Sequence, residues 1–209
     1  MCAQTIIPPR QARSKNTQEK LLQALHTCLE HKFFEQITIR ELSEEAGVSV
    51  GTFYRRFKDK ESLLPLLYQE YGQDLRAWVN ELEQRDYDSL QEVVTTMALE
   101  TYSFIDSKQA VYRTLHLNAR LESTLIASDP EVDRRKIYSQ LRNILLRFPS
   151  KIQSEHKTCV ADTMVFILIS TILDKVLYPE LTPAIACELN PQAFAYELPK
   201  LLLPYLTGL

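Results

Sequence analysis

The sequence predicts an all-helical protein, and three observations carry that prediction. Glycine occurs only four times in 209 residues, at positions 47, 51, 72 and 208, and alternating β-branched runs are few. Apolar residues recur at helical spacing along most of the chain. Prolines at 130, 149, 179, 183 and 191 fall where helices should start or stop.

The elements follow in order. Residues 1–16 read as a flexible basic arm, with Pro8, Pro9, Arg10 and Arg13 and without the apolar core of a secretory signal. A first helix from about Thr17 to His31 carries the stripe Leu21, Leu22, Leu25 and Leu29. Two short helices follow, Ile39 to Ala46 and Val50 to Phe57, and a longer one from Lys60 to Leu82. Further segments are expected from Ser89 to Ile105, Ala110 to Leu121, Glu131 to Phe148, Glu155 to Leu177 and Gln192 to Leu206. Pro199 and Pro204 inside the last one predict a kinked or shortened helix.

Composition sets the broad class. With 45% hydrophobic and 24% charged residues the chain can bury an ordinary core in water. Its net charge of −3 hides an asymmetry. Residues 1–60 hold ten Lys or Arg against seven Asp or Glu, a net of +3, and the remainder holds fourteen against twenty, a net of −6. A basic end joined to an acidic body suits a nucleic-acid reader attached to another module. Cys2, Cys28, Cys159 and Cys187 are widely spaced, without a CxxC pair, and read as reduced thiols of a cytoplasmic protein. Cys28, between Leu25 and Leu29, reads as a small core residue. The most apolar run, Val160 to Leu173, is interrupted by Asp162, Thr163, Ser170 and Thr171 and is too short to span a bilayer.

Residues 37–64 are the most informative. Thr38 and Glu41 have the spacing of a capping box, and Ile37 with Leu42 has that of the accompanying hydrophobic staple. Gly47 can take the left-handed conformation that closes a helix. Ser49 then caps a second helix, with Val48 and Phe53 as its staple. Phe53 and Phe57, four apart, face the first helix. Val50, Gly51, Thr52, Tyr54, Arg55 and Arg56 are left to the other faces. In a helix-turn-helix the front of the second helix enters the major groove, where small residues permit close approach and polar ones meet base edges. Lys60, behind Asp59, places a cation where a phosphate could sit. The bland alternative is a helical hairpin in a bundle with solvated arginines.

These residues resemble the TetR family of bacterial transcriptional repressors. The resemblance rests on Thr38, Leu42, Ala46, Gly47, Val48, Ser49, Gly51, Thr52, Phe53, Tyr54, Phe57, Lys60, Glu61 and Leu63, and covers roughly residues 17–64. Ser43 stands where that family usually has alanine, and Arg56 where histidine is common. The resemblance implies that Thr38, Tyr54, Arg56 and Lys60 contact phosphates, while Val50, Gly51, Thr52 and Arg55 face bases. Ser49 belongs to the same surface. It further implies a homodimer with an inducer pocket in a helical C-terminal domain. The expected organisation is an arm over 1–16, a three-helix DNA-binding domain with its helix-turn-helix over 17–64, and a larger helical ligand-sensing and dimerisation domain over 65–209.

The C-terminal part yields two further expectations. Cys159 to Leu177 and Phe194 to Leu206 are apolar on more than one face, so pairing with a second copy would cover them. Trp78, Met97, Thr101, Tyr102, Tyr112, His116, Asn118, Tyr138, Met164 and Phe166 mix aromatic bulk with polar groups as a small-molecule cavity would. The effector itself stays unidentified, and ordinary core packing accounts for the same residues. No catalytic residue, metal site or cofactor is expected. His26, His31, His116 and His156 lack metal-ligand spacing, and Gly-rich phosphate loops and nucleophile elbows are missing. Asp129 and Glu131 beside Arg134, Arg135 and Lys136 read as a helix start with a solvated face. A protein–protein interaction module and, more remotely, an enzyme are the competing classes.

Overall fold

The computed structural model describes the backbone of residues 12–121 and 133–208, with side chains from residue 15 onward. The described residues form nine α-helices and no strand. These are α1 (Ala12–Leu29), α2 (Ile39–Glu45), α3 (Val50–Tyr54), α4 (Leu64–Gln84), α5 (Leu90–Asp106), α6 (Gln109–Leu121), α7 (Arg134–Leu145), α8 (Lys157–Leu177) and α9 (Pro191–Thr207).

Local chemistry sets most helix starts. Ser89 accepts from the Glu92 N–H at 3.1 Å, Asp133 from Lys136 at 3.3 Å and Asn190 from Ala193 at 2.8 Å, each side chain satisfying an N–H that the first turn leaves without a partner.

Two boundaries differ from the sequence expectation. The arm expected over 1–16 overlaps α1, which is already formed at Ala12; nothing between 12 and 16 breaks a helix. Residues 1–11 lie outside the described residues, as does the start expected at Glu131 together with Asp129. Finally, α9 is neither cut short at Pro199 nor at Pro204 but continues to Thr207. Each proline removes a single ladder bond, and the buried stripe Ala195, Leu198, Leu202 and Leu206 holds the helix through both.

The chain divides into two compact units. The first contains α1–α3, α4 as far as Gly72, and α6 from Ala110; the second contains the rest of α4, α5 and α7–α9. The first unit therefore reaches beyond residue 64 and takes in a helix from the middle of the chain. Its core joins Leu21, Leu25 and Leu29 of α1 to Ile37, Leu42, Phe53, Phe57 and Leu63, all essentially without solvent exposure. Removing a Phe or Leu side chain from water contributes about 1.5–3 kcal/mol, so this cluster dominates the unit's stability. Polar contacts attach the outer helices: His26 Nε2 lies 2.7 Å from Glu70 Oε2, the Tyr68 hydroxyl donates to the Leu115 carbonyl, and the Tyr71 and Tyr112 rings meet edge-on at 5.2 Å.

In the second unit α5 packs on α8 and α9, which also pack on each other, and α7 packs on α8. Met97, Leu141, Met164, Leu168, Ile172 and Leu202 are buried among them. Lys175 is buried too, its ammonium donating to the Ala184 and Cys187 carbonyls. No helix of the described residues is long and apolar enough to cross a membrane.

Candidate nucleic-acid interface

The candidate interface is built on α2, α3 and the turn between them. Thr38 opens α2 with a complete capping box. Its hydroxyl accepts from the Glu41 N–H at 3.2 Å, and Glu41 Oε2 accepts from the Thr38 N–H at 2.9 Å and from the hydroxyl at 2.9 Å. The Lys32 ammonium also donates to Glu41. That contact first, and the two Thr38 bonds after it, hold the Glu41 carboxyl at about 2, so it stays ionised at any ordinary pH.

The turn is equally determined. Gly47 has φ of +64°, and two bonds close the helix around it, Val48 N–H to the Ser43 carbonyl at 2.9 Å and Gly47 N–H to the Glu44 carbonyl at 3.1 Å. Ser43, where the resembled family favours alanine, is buried and donates back to the Ile39 carbonyl at 2.8 Å, which lets a hydroxyl occupy a packed position. Ser49 then accepts from the Thr52 N–H at 3.1 Å and starts α3.

The helix α3 is short. It is regular only to Tyr54, and an Arg56 N–H to Phe53 carbonyl bond at 2.8 Å tightens the turn that follows. Phe53 and Phe57 are buried with ring centroids 5.6 Å apart. Every residue expected at the bases is therefore turned away from that core. Val50, Gly51 and Arg55 are exposed, Thr52 is half-exposed, and Tyr54 keeps 57% of its surface. Ser49, Thr52 and Arg55 are linked side chain to side chain, with hydroxyls 2.9 Å apart and Arg55 Nη2 donating to Thr52 Oγ1 at 2.8 Å.

Two expected phosphate contacts are directed elsewhere. Arg56 is only 9% exposed, and its Nη2 donates to Gln18 Oε1 at 2.7 Å, tying the end of α3 to α1. The Lys60 ammonium donates to the carbonyls of Phe34, Glu35 and Ile37 at 2.8, 2.9 and 3.0 Å and stands 4.9 Å from the Phe34 ring. All three of its N–H groups are thereby used, which leaves none for a phosphate. One cation escaped the sequence reading: Lys58 is exposed between the two, but a lysine in a turn looks like any solvated charge until its neighbours are seen to point inward.

The expected ligand residues are divided between the two units. Tyr112, His116 and Asn118 belong to the first unit, and the others to the second. Asn118 Nδ2 donates to the Thr114 carbonyl at 2.9 Å, within α6. Met97, Thr101 and Met164 are core, the Thr101 hydroxyl bonding the Met97 carbonyl at 2.6 Å. Tyr102 donates weakly to Asp106 Oδ2 at 3.4 Å on its own helix. Phe166 is exposed at 69% and Tyr138 at 41%, although desolvation still pushes the Tyr138 hydroxyl's pKa up. Trp78 is buried and stacked on Phe104 at 4.9 Å, and its indole N–H finds no acceptor among the described residues. Cys28 is half-buried, and its thiol is pushed up by desolvation and then by Glu45 and Glu41, which favours the protonated form.

Comparison with known proteins agrees with this geometry. Residues 21–67 match the model described as bacterial regulatory proteins, tetR family. An uncharacterized HTH-type transcriptional regulator of Haemophilus influenzae is 28% identical over 107 residues, 51% of this chain and 52% of that relative. The chain thus spans about half the length of the curated relatives it matches. Among solved structures, the TetR family regulator PfmR from Thermus thermophilus superposes with a TM-score of 0.60 at 14% identity, covering 88% of this chain and 96% of that one. The regulator FadR from Bacillus subtilis, solved with stearoyl-CoA, gives 0.59 at 17% identity, covering 91% and 98%. At such identities the likeness is one of fold. The matched proteins are transcriptional regulators, not enzymes.

Proposed function

We propose that the chain, whose residues 21–67 match the tetR family of bacterial regulatory proteins, binds a palindromic operator in double-stranded DNA and represses transcription there. One observation carries this reading. The side chains of Val50, Thr52, Tyr54 and Arg55 and the bare backbone of Gly51 face outward on a helix whose other side, Phe53 and Phe57, is buried. Such a face can approach base edges, with Thr38, Tyr54 and Lys58 at its margins for phosphates. Selection of the purified protein on random duplexes tests it. An inverted repeat should emerge; a pool that stays random contradicts the proposal.

A palindrome requires two copies, whose recognition helices must meet half-sites roughly 34–36 Å apart. The proposed dimer forms through α8 and α9. Phe166, Tyr196, Leu201 and Tyr205 lie exposed on these helices, and a two-fold pairing would cover them. A small-molecule effector is proposed to act from the second unit, where the buried Trp78 indole N–H could meet a ligand's acceptor. The stearoyl-CoA seen with the Bacillus subtilis regulator makes such an effector reasonable for this fold. Release would follow from linkage: an effector preferring badly spaced helices weakens DNA binding by the factor by which DNA weakens its own binding. Equal effector affinity with and without operator would contradict that mechanism. The proposed setting is the cytoplasm.

A further inference from the structure

We infer that Arg55 selects a guanine in each half-site, reading its O6 and N7 from the major groove while Thr52 holds the guanidinium in place. The inference rests on the DNA-binding reading above and adds a base to it.

The placement follows from the hydrogen bonds of α3. Ser49, Thr52 and Arg55 stand three residues apart and so lie along one edge of the helix. The Ser49 and Thr52 hydroxyls are 2.9 Å apart, and Arg55 Nη2 donates to Thr52 Oγ1 at 2.8 Å. Arg55 begins at the C-terminal end of α3, yet this bond draws its head forward by one turn, alongside the N-terminal residues that a helix-turn-helix presents to base edges.

The chemistry of the head decides what it reads there. A guanidinium carries five N–H donors and the bond to Thr52 uses one of the two on Nη2, so four remain, enough for a pair of parallel bonds. Guanine alone presents two adjacent acceptors, O6 and N7, on the major-groove side; adenine replaces one with a donor. The other nearby cations are not equivalent. Arg56 is buried on Gln18, Lys60 is spent on three carbonyls, and Lys58 can offer only a point charge. Among the described residues Arg55 makes no ion pair that would have to break first. Its tether to Thr52 also orders a long side chain before DNA arrives, so less freedom is lost on binding.

The experiment compares the unaltered protein with Arg55→Lys and Arg55→Ala by selection on random duplexes, followed by titration of the winning duplex carrying 7-deazaguanine, which lacks N7, at each guanine in turn. The expected result is one guanine per half-site whose replacement by another base weakens binding by roughly 5- to 150-fold, the range of a good bidentate pair. At that guanine 7-deazaguanine should weaken the unaltered protein, and both variants should lose the preference for it. Arg55→Lys, which keeps the charge but not the fork, should retain the salt dependence of binding. If both variants still demand the same guanine, another group reads it, and if Arg55→Lys behaves as the unaltered protein while Arg55→Ala loses affinity evenly across all sequences, Arg55 is a phosphate contact; either result overturns the inference. If the unaltered protein enriches no duplex, the DNA-binding reading falls, and the inference with it.

Discussion

Arg56 Nη2 donates to Gln18 Oε1 at 2.7 Å, joining the turn after α3 to a side chain 38 residues earlier on α1. This bond fixes how α3 is carried by the helix behind it. A hydrogen bond to a charged group contributes about 1.5–3 kcal/mol, and Arg56 is buried, so Arg56→Ala should lower stability by about that much in urea denaturation. Gln18→Ala should cost less, and the double variant less than the two losses combined, because both remove the same contact. Strict additivity would show that the pair does not interact in solution.

Gly47 offers a test of backbone strain without a steric clash. A Cβ built on it meets nothing within 4 Å, yet its φ is +64°. Gly47→Ala should therefore destabilise by about 1–2 kcal/mol purely through the left-handed backbone, and Gly47→Asn by less. An alanine variant as stable as the parent in urea would contradict the closure described for α2.

The box at the start of α2 predicts a pH dependence. The folded carboxyl of Glu41 titrates at about 2, below the usual carboxylate range, because Lys32 and Thr38 bind its ionised form. The lowered value means that its contribution is fully present above the ordinary carboxylate pKa and is lost as pH falls toward 2. Thermal melts across this window should show Glu41→Gln less sensitive to acid than the unaltered protein. Thr38→Ala should lower stability by about 0.5–2 kcal/mol near neutrality. Identical acid sensitivity with and without Glu41 would remove the carboxylate from this role.

The caps at Thr38 and Ser49, the left-handed Gly47 and the buried pair Phe53 and Phe57 were legible in the sequence because each depends on neighbours within five residues. Arg56 and Lys60 were not. Their partners, Gln18 and the carbonyls at 34, 35 and 37, lie 23 to 38 residues away, and nothing local distinguishes an inward cation from a solvated one. The two prolines of α9 did not shorten it as one of the two sequence expectations had it, because its buried stripe packs against α5 and α8, far away in the chain.

The proposed dimer makes a sharp prediction at Phe166 and Leu201, which keep 69% and 72% of their surface within one chain. Because neither is core, Phe166→Glu and Leu201→Glu should fold normally and yet convert a dimer into a monomer in light scattering at micromolar concentration. A monomeric parent, or glutamate variants that remain dimeric, would move the interface elsewhere.

The most direct measurement is the affinity of the selected duplex across a salt series, for the unaltered protein and for Tyr54→Ala. Binding that neutralises several phosphates should fall linearly on a log–log plot, with a slope of about −0.9 per phosphate contacted, and Tyr54→Ala should weaken it throughout. A flat response to salt, or binding indifferent to Tyr54, would contradict the account that the face of α3 reads DNA.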